Sequence, residues 1–192
     1  MNGGTKDPLL NKIIGGCRIL SVLGETSTGT QYLAENSGAG RQSVIHVINE
    51  ATASNKPLLN RFVRELGKQT AIQHPNLVQI YRFEEENGVH FVELEHVNGT
   101  TFPEWLSKSG GLSMANAPKI MRSACLGLAE LHKNDIVHKN LTLEGLMMSA
   151  EGELKITVFS EPNMPELGGG SIGQILATPA FMSPEQCTGK PG

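Results

Sequence analysis

Few places in this sequence bring together groups able to move protons, hold metals or grip phosphates. Of 19 acidic residues only Asp7 and Asp135 are aspartates; the other 17 are glutamates. A mechanism that needs an aspartate must use one of these two or do without. The six His and three Cys (Cys17, Cys125, Cys187) include no H-x3-H or C-x2-C spacing. His132 and His138 stand six positions apart across the start of a strand, which disfavours metal ligation. No G-x-S-x-G nucleophile elbow is present. Two stretches retain a chemical character. Gly24 to Gly29 is a glycine-rich turn between two β runs. His138-Lys139-Asn140-Leu141-Thr142-Leu143-Glu144-Gly145 is a polar loop that follows a helical pattern.

The elements that must position these groups read in a definite order. The 192 residues suffice for one large domain or two small lobes, and 39% hydrophobic with 18% charged residues is a folded composition. A net charge of -3 gives no reason to expect nucleic acid or an anionic membrane as partner. No apolar run approaches the length of a membrane-spanning helix, and the amino terminus lacks an apolar secretory core, so a cytoplasmic location is expected. An odd, scattered set of cysteines agrees with a reducing compartment. Residues 1–15 read as a flexible arm closing on glycine. Short β runs follow at 18–23, 30–34 and 43–48, separated by glycine-rich turns. Residues 57–73 carry Leu58, Leu59, Phe62 and Leu66 at helical spacing, ended by His74-Pro75. Strands are expected at 77–83 and 89–94 around an acidic tip. Helices are expected over 101–108 and 115–133, the latter with Ile120, Met121, Cys125, Leu126, Leu128, Ala129 and Leu131 toward a core. Short strands at 146–148 and 154–158 and a glycine-rich loop over 160–176, expected to be mobile, complete the pattern.

This order of landmarks, from about Gly16 onward, resembles a Hanks-type Ser/Thr protein kinase. The resemblance implies an α+β, bilobal fold: a five-stranded antiparallel N-lobe with one helix over 16–97, then a partial, mainly helical C-lobe over 98–192. The kinase G-x-G-x-x-G-x-V aligns with Gly24-Glu25-Thr26-Ser27-Thr28-Gly29-Thr30-Gln31, keeping the first and third glycines only. V-A-I-K aligns with Ser43-Val44-Ile45-His46, so the phosphate-binding lysine is His46. Glu65 matches the helix glutamate that would pair with that lysine; a solvated carboxylate beside Arg61 and Lys68 is the alternative. Glu93-Leu94-Glu95-His96-Val97-Asn98-Gly99 resembles the hinge, with Leu94 as gatekeeper and the backbone of Glu95 and Val97 toward an adenine. In the catalytic loop the base aspartate is Asn140, the lysine is Thr142 and the metal-ligating asparagine is Gly145. The D-F-G aspartate is Val158, while Phe159 and His138 are kept. Ala177-Thr178-Pro179-Ala180-Phe181-Met182-Ser183-Pro184-Glu185 is the most specific stretch.

The resemblance therefore implies a pseudokinase. His46, Asn140, Thr142, Gly145 and Val158 are five degenerate chemical positions, and Gly24, Gly29, Val44, His46, Glu65, Leu94, Glu95, Val97 and Met147 line a vestigial ATP cleft. No metal and no resident cofactor are expected, with a weak metal-free ATP contact at the hinge left open. The expected role is regulatory or protein-binding, toward a protein partner or a following domain, with self-association through the helical half. An atypical, weakly active kinase and a nonfunctional remnant are the alternatives.

Overall fold

The computed structural model describes residues 7–138 and 141–157, together with Phe181 and Pro184. The chain divides into two compact units, Met1–His74 with Val78–His96, and Pro75–Leu77 with Val97–Gly192.

The first unit is an antiparallel sheet of six strands: β1 (Ile13–Ile14), β2 (Cys17–Thr26), β3 (Gly29–Asn36), β4 (Arg41–Ile48), β5 (Ile80–Glu86) and β6 (Val89–Glu95), ordered β1-β2-β3-β4-β6-β5. Five of these strands answer the sequence expectation; β1 is additional. The turn between β5 and β6 is Asn87-Gly88, both at positive φ (52° and 80°), the pairing that a two-residue hairpin favours. β4 is buried on both faces, Ser43 and Ile45 on one and His46 and Ile48 on the other, so its residues do not alternate between apolar and exposed polar. Gly29 is required where β3 crosses β4: a Cβ there would lie 1.9 Å from the Val47 carbonyl oxygen.

The expected single helix is two. A short α1 (Glu50–Ser54) starts at Asn49, whose side chain accepts from the Thr52 amide. The main helix α2 (Lys56–Gln69) starts at Asn55, which caps the Leu58 amide, with Pro57 in the first turn. Its Leu58, Phe62 and Leu66 are buried at four-residue spacing.

The flexible-arm reading of residues 1–15 fails for Asp7–Gly15. The Asp7 carboxylate accepts from the Leu9 amide at 2.9 Å and from the Tyr32 hydroxyl at 3.0 Å. Leu9, Leu10 and Ile14 pack on Cys17, Ile19, Tyr32, Ala34, Ile45 and Phe91. Gly15 and Gly16, at φ of 56° and 74°, are the turn of the β1–β2 hairpin. The glycine pair that reads as looseness is a tight reversal; a Cβ on Gly15 would strike the Phe91 ring.

The second unit holds a three-stranded sheet, β7 (Gly99–Thr101), β8 (Leu146–Ser149) and β9 (Leu154–Ile156), in that order. With it are α3 (Phe102–Ser109) and α4 (Ala117–Lys133). Phe102, Met148 and Leu154 form its core, with Ile120, Ala124 and Trp105 against them. α4 approaches β9 closely at Gly127, where a Cβ would sit 3.0 Å from the Asn76 carbonyl oxygen. The sequence reading made this helix's buried stripe too wide. Ile120, Ala124, Gly127 and Leu131 face inward, Leu128 is half-buried, and Met121, Cys125, Leu126 and Ala129 are exposed. A helix buried on one side needs only about a third of its circumference apolar, so the second stripe is surface.

Candidate functional site

The positions with chemical potential lie on a few elements, and each unit contributes its own set. In the first unit, Gly24 lies within β2 opposite Gln31 and would meet nothing if it carried a Cβ. Val44 stands between Leu33 and Leu94, and His46 between Gln31 and Val92, all on one face of the sheet.

The turn from β2 to β3 is a tight one. The Thr26 hydroxyl accepts from the backbone amides of Thr28 (3.3 Å) and Gly29 (3.2 Å) and donates to the Gly29 carbonyl (3.2 Å). Thr28, at the tip, turns its side chain inward, with Oγ1 3.1 Å from His46 Nε2. Asn49 holds the other side of the turn, its side-chain amide donating to the Ser27 carbonyl (2.9 Å) and its backbone amide to the Thr28 carbonyl (2.8 Å). Glu65 pairs with Arg61 one helical turn away at 3.2 Å and remains substantially exposed. Of the two readings of Glu65, the structure therefore supports the solvated one. At the hinge, Leu94 is buried, and the Glu95 amide donates to the Gln79 carbonyl while its carboxylate accepts from the Gln79 amide.

In the second unit, His138 is buried with Nε2 3.0 Å from the Thr157 carbonyl oxygen. Burial lowers its pKa below the ordinary histidine value, against a smaller opposing effect of that carbonyl. The Thr142 hydroxyl accepts from the Gly145 amide, and the Gly145 carbonyl accepts from both the amide and the hydroxyl of Thr157 at 2.8 Å. A Cβ on Gly145 would stand 3.3 Å from the Thr157 hydroxyl, so Thr157 takes up room beside it. Met147 lies in β8 between Thr101 and Lys155, and Val97 is buried at the start of this unit. Asn140 and Val158, like the 160–176 loop, lie outside the described residues. Among the described residues no group of three or more His, Cys, Asp or Glu is placed to hold a metal ion, and no helix is long and apolar enough to cross a membrane.

Sequence reasoning missed the most densely bonded polar group of the first unit. Glu93 is buried, its Oε1 accepting from Ser43 (2.8 Å), Asn36 (3.0 Å) and Arg41 (3.3 Å) and its Oε2 from Arg82 Nε (2.7 Å). Burial alone would raise its pKa; the bonds from Asn36, Arg82 and Ser43 outweigh that and hold it below the ordinary value. Arg82 also reaches the Gly15 carbonyl and the Glu84 carboxylate, which ties the amino-terminal segment to the sheet. The legible signal was the alternation Phe91, Glu93, Glu95 on one side of a buried strand.

A sheet built around His46, followed by a helical unit carrying His138, Gly145 and a β8–β9 hairpin, is a protein kinase fold. The family model described as "Protein kinase domain" matches residues 17–191, and the chain belongs to that family. It is 29% identical over 181 residues to serine/threonine-protein kinase PrkC of Bacillus subtilis (strain 168), covering 93% of this chain and 28% of that protein. It is 30% identical over 182 residues to serine/threonine-protein kinase pkn2 of Myxococcus xanthus, covering 91% and 22% respectively. The chain thus spans about a quarter of the length of these curated relatives. The solved kinase domain of Mycobacterium tuberculosis PknI superposes with a TM-score of 0.68 at 17% identity, over 78% of this chain and 61% of that one. A double mutant of the same domain gives 0.72 at 15% identity, over 95% and 70%. These likenesses show the fold.

The family implies magnesium and ATP, the group against which the surroundings of these positions are weighed. The turn amides of Thr28 and Gly29 are engaged by Thr26. The lysine position is a buried histidine bonded to Thr28, and the asparagine position is a glycine packed on Thr157.

Proposed function

We propose that this chain is a pseudokinase: a kinase-family domain that does not transfer phosphate and acts as a regulatory or protein-binding module. One observation carries the reading. Described positions that would serve phosphate or metal in the family, directly or by pairing with the lysine, meet the chain's own groups instead: His46 meets Thr28, Glu65 pairs with Arg61, and Gly145, which has no side chain to ligate a metal, packs beside Thr157. The sequence adds Asn140 for the base and Val158 for the metal carboxylate. An asparagine side chain cannot take up a proton at physiological pH. Loss of a general base alone costs about 10²–10⁴ in rate, and the electrostatic contribution of lysine and metal is larger still. For a partner, the proposal points to the exposed apolar stripe of α4, in particular Met121, which is 59% exposed, and Leu126. A following domain, a protein partner or a second copy would bury it. A cytoplasmic location belongs to the same proposal, in keeping with Cys17 and Cys125 as free thiols.

The rival reading, a weakly active Ser/Thr kinase, is favoured by one observation: the curated relatives are named as kinases. Melting temperature measured with ATP, with and without Mg²⁺ and EDTA, separates the two. Saturation at 100-fold above Kd would stabilise a binding protein by about 2.7 kcal/mol. No Mg²⁺-dependent rise and no phosphoryl transfer are expected. A rise abolished by EDTA, accompanied by transfer to a generic acceptor protein, would establish the kinase instead. A rise independent of metal would leave a nucleotide-sensing pseudokinase.

A further inference from the structure

The tip of the β2–β3 hairpin is held from three directions at once. A two-residue turn exposed at the end of a ribbon normally leaves its side chains and one or more backbone groups to water. Here Thr28 is 4% exposed and its hydroxyl meets a histidine that is fully buried. The amides of Thr28 and Gly29, the donors that a phosphate would recruit in a turn of this kind, converge on the Thr26 hydroxyl. The carbonyls of Ser27 and Thr28 are both taken by Asn49, which also caps α1. The three directions come from different parts of the chain: Thr26 within the turn itself, His46 in β4 and Asn49 just after it.

We propose that Thr26, Thr28, His46 and Asn49 form a latch that keeps the β2–β3 turn closed and excludes phosphate groups from its backbone amides. The inference rests on the non-transferring reading above and deepens it. Phosphate is refused by residues added to the turn as well as by catalytic residues lost elsewhere. Thr26 replaces the family's middle glycine, and its hydroxyl does more than crowd the turn: it occupies the donors. His46 replaces the family's lysine, and its imidazole has a specific internal partner in Thr28. Restoring one family residue therefore leaves the rest of the latch in place.

Residue-resolved amide exchange on the full chain tests this. In the unaltered protein the amides of Thr28 and Gly29 should be protected. Thr28→Val, which keeps the shape and removes the hydroxyl, and Asn49→Ala should each speed their exchange about fivefold, the effect of one ordinary hydrogen bond. Combined, they should give less than the product of the two, because each already opens the same latch. Metal-free inorganic tripolyphosphate should leave exchange at the tip unchanged in the unaltered protein. It should slow that exchange in Thr26→Gly/Thr28→Val, with Thr26→Ala as the milder variant if the double change does not fold; protection of the β4 amides reports folding in both. Tip amides that exchange as in an unstructured peptide would overturn the latch, and so would tripolyphosphate slowing them in the unaltered protein. Failure of tripolyphosphate to slow exchange in any opened, folded variant would overturn the exclusion. Failure of the pseudokinase reading looks different: Mg²⁺-ATP raises the melting temperature while the tip stays protected.

Discussion

Arg82→Met should cost the first unit more than any other single surface-reaching change. Glu93 is 1% exposed and receives its shortest bond, 2.7 Å, from Arg82 Nε on an oxygen that the other three donors do not use. Loss of a hydrogen bond to a charged group costs about 1.5–3 kcal/mol. Removing one member of a buried ion pair costs about 3–5 kcal/mol, because the remaining charge stays out of water. Arg82 itself is 30% exposed, so water can follow into the space it vacates, and Arg41, Asn36 and Ser43 still hold the other oxygen. The lower end is therefore expected, about 3 kcal/mol. With a urea m-value of about 2 kcal/mol/M, the midpoint should fall by about 1.5 M with m unchanged. The second variant isolates the cause. Arg82→Met/Glu93→Leu removes both charges and should recover most of the loss, since an apolar pair of similar volume often matches a buried ion pair. A shift under about 0.3 M for the single change would refute the reasoning. So would a double variant less stable than Arg82→Met, which would mean that packing under the amino-terminal segment, and not the stranded carboxylate, sets the cost.

Gly29→Ala should destabilise by more than about 3 kcal/mol, beyond ordinary overpacking, because its Cβ would meet the Val47 carbonyl oxygen at 1.9 Å. Gly24→Ala meets nothing and should stay within about 0.5 kcal/mol; chemical denaturation of the pair checks both, and equal costs would contradict the strand register. His138 has a folded-state pKa below its ordinary 6.5, so the unfolded chain takes up the proton first. Stability should then be full above about pH 6.5 and fall as pH drops toward the lowered value, with His138→Phe flattening that limb of the melting curve. Glu93, held below its ordinary 4.5, should give a second loss only as pH falls below that value, and Glu93→Gln should remove it. Alkylation mapped by mass spectrometry should label Cys125, which is exposed, well before Cys17, which is buried and whose thiol pKa is raised by burial first and by Glu93 second. Equal labelling would mean that the amino-terminal segment opens readily.

Local pattern was enough for most of the secondary structure. Leu58, Phe62 and Leu66 recur at helical spacing, and Asn87-Gly88 favours a hairpin turn, because both features are set by residues no more than four positions from their neighbours in the pattern. The kinase family was legible for a different reason: its landmarks keep their order and distance even where the chemistry has gone. The replacements His46, Asn140, Thr142, Gly145 and Val158 are facts of sequence that no fold alters. What the tertiary structure decided involves residues far apart in the chain. Asp7 finds Tyr32 25 positions on, Gly15 finds Glu86 71 positions on, and Glu93 finds Asn36 and Ser43 57 and 50 positions back. Loop closure makes such contacts invisible to any local window, so the arm read as loose and the buried carboxylate read as an ordinary hinge residue. Periodicity likewise marks which residues of α4 are apolar but not which of two apolar stripes meets a neighbour; that choice follows from the approach of the helix at Gly127. His46 shows the division most clearly. Its sequence position states that a lysine is missing, and only the folded β2–β3 turn supplies the hydroxyl that the imidazole meets instead.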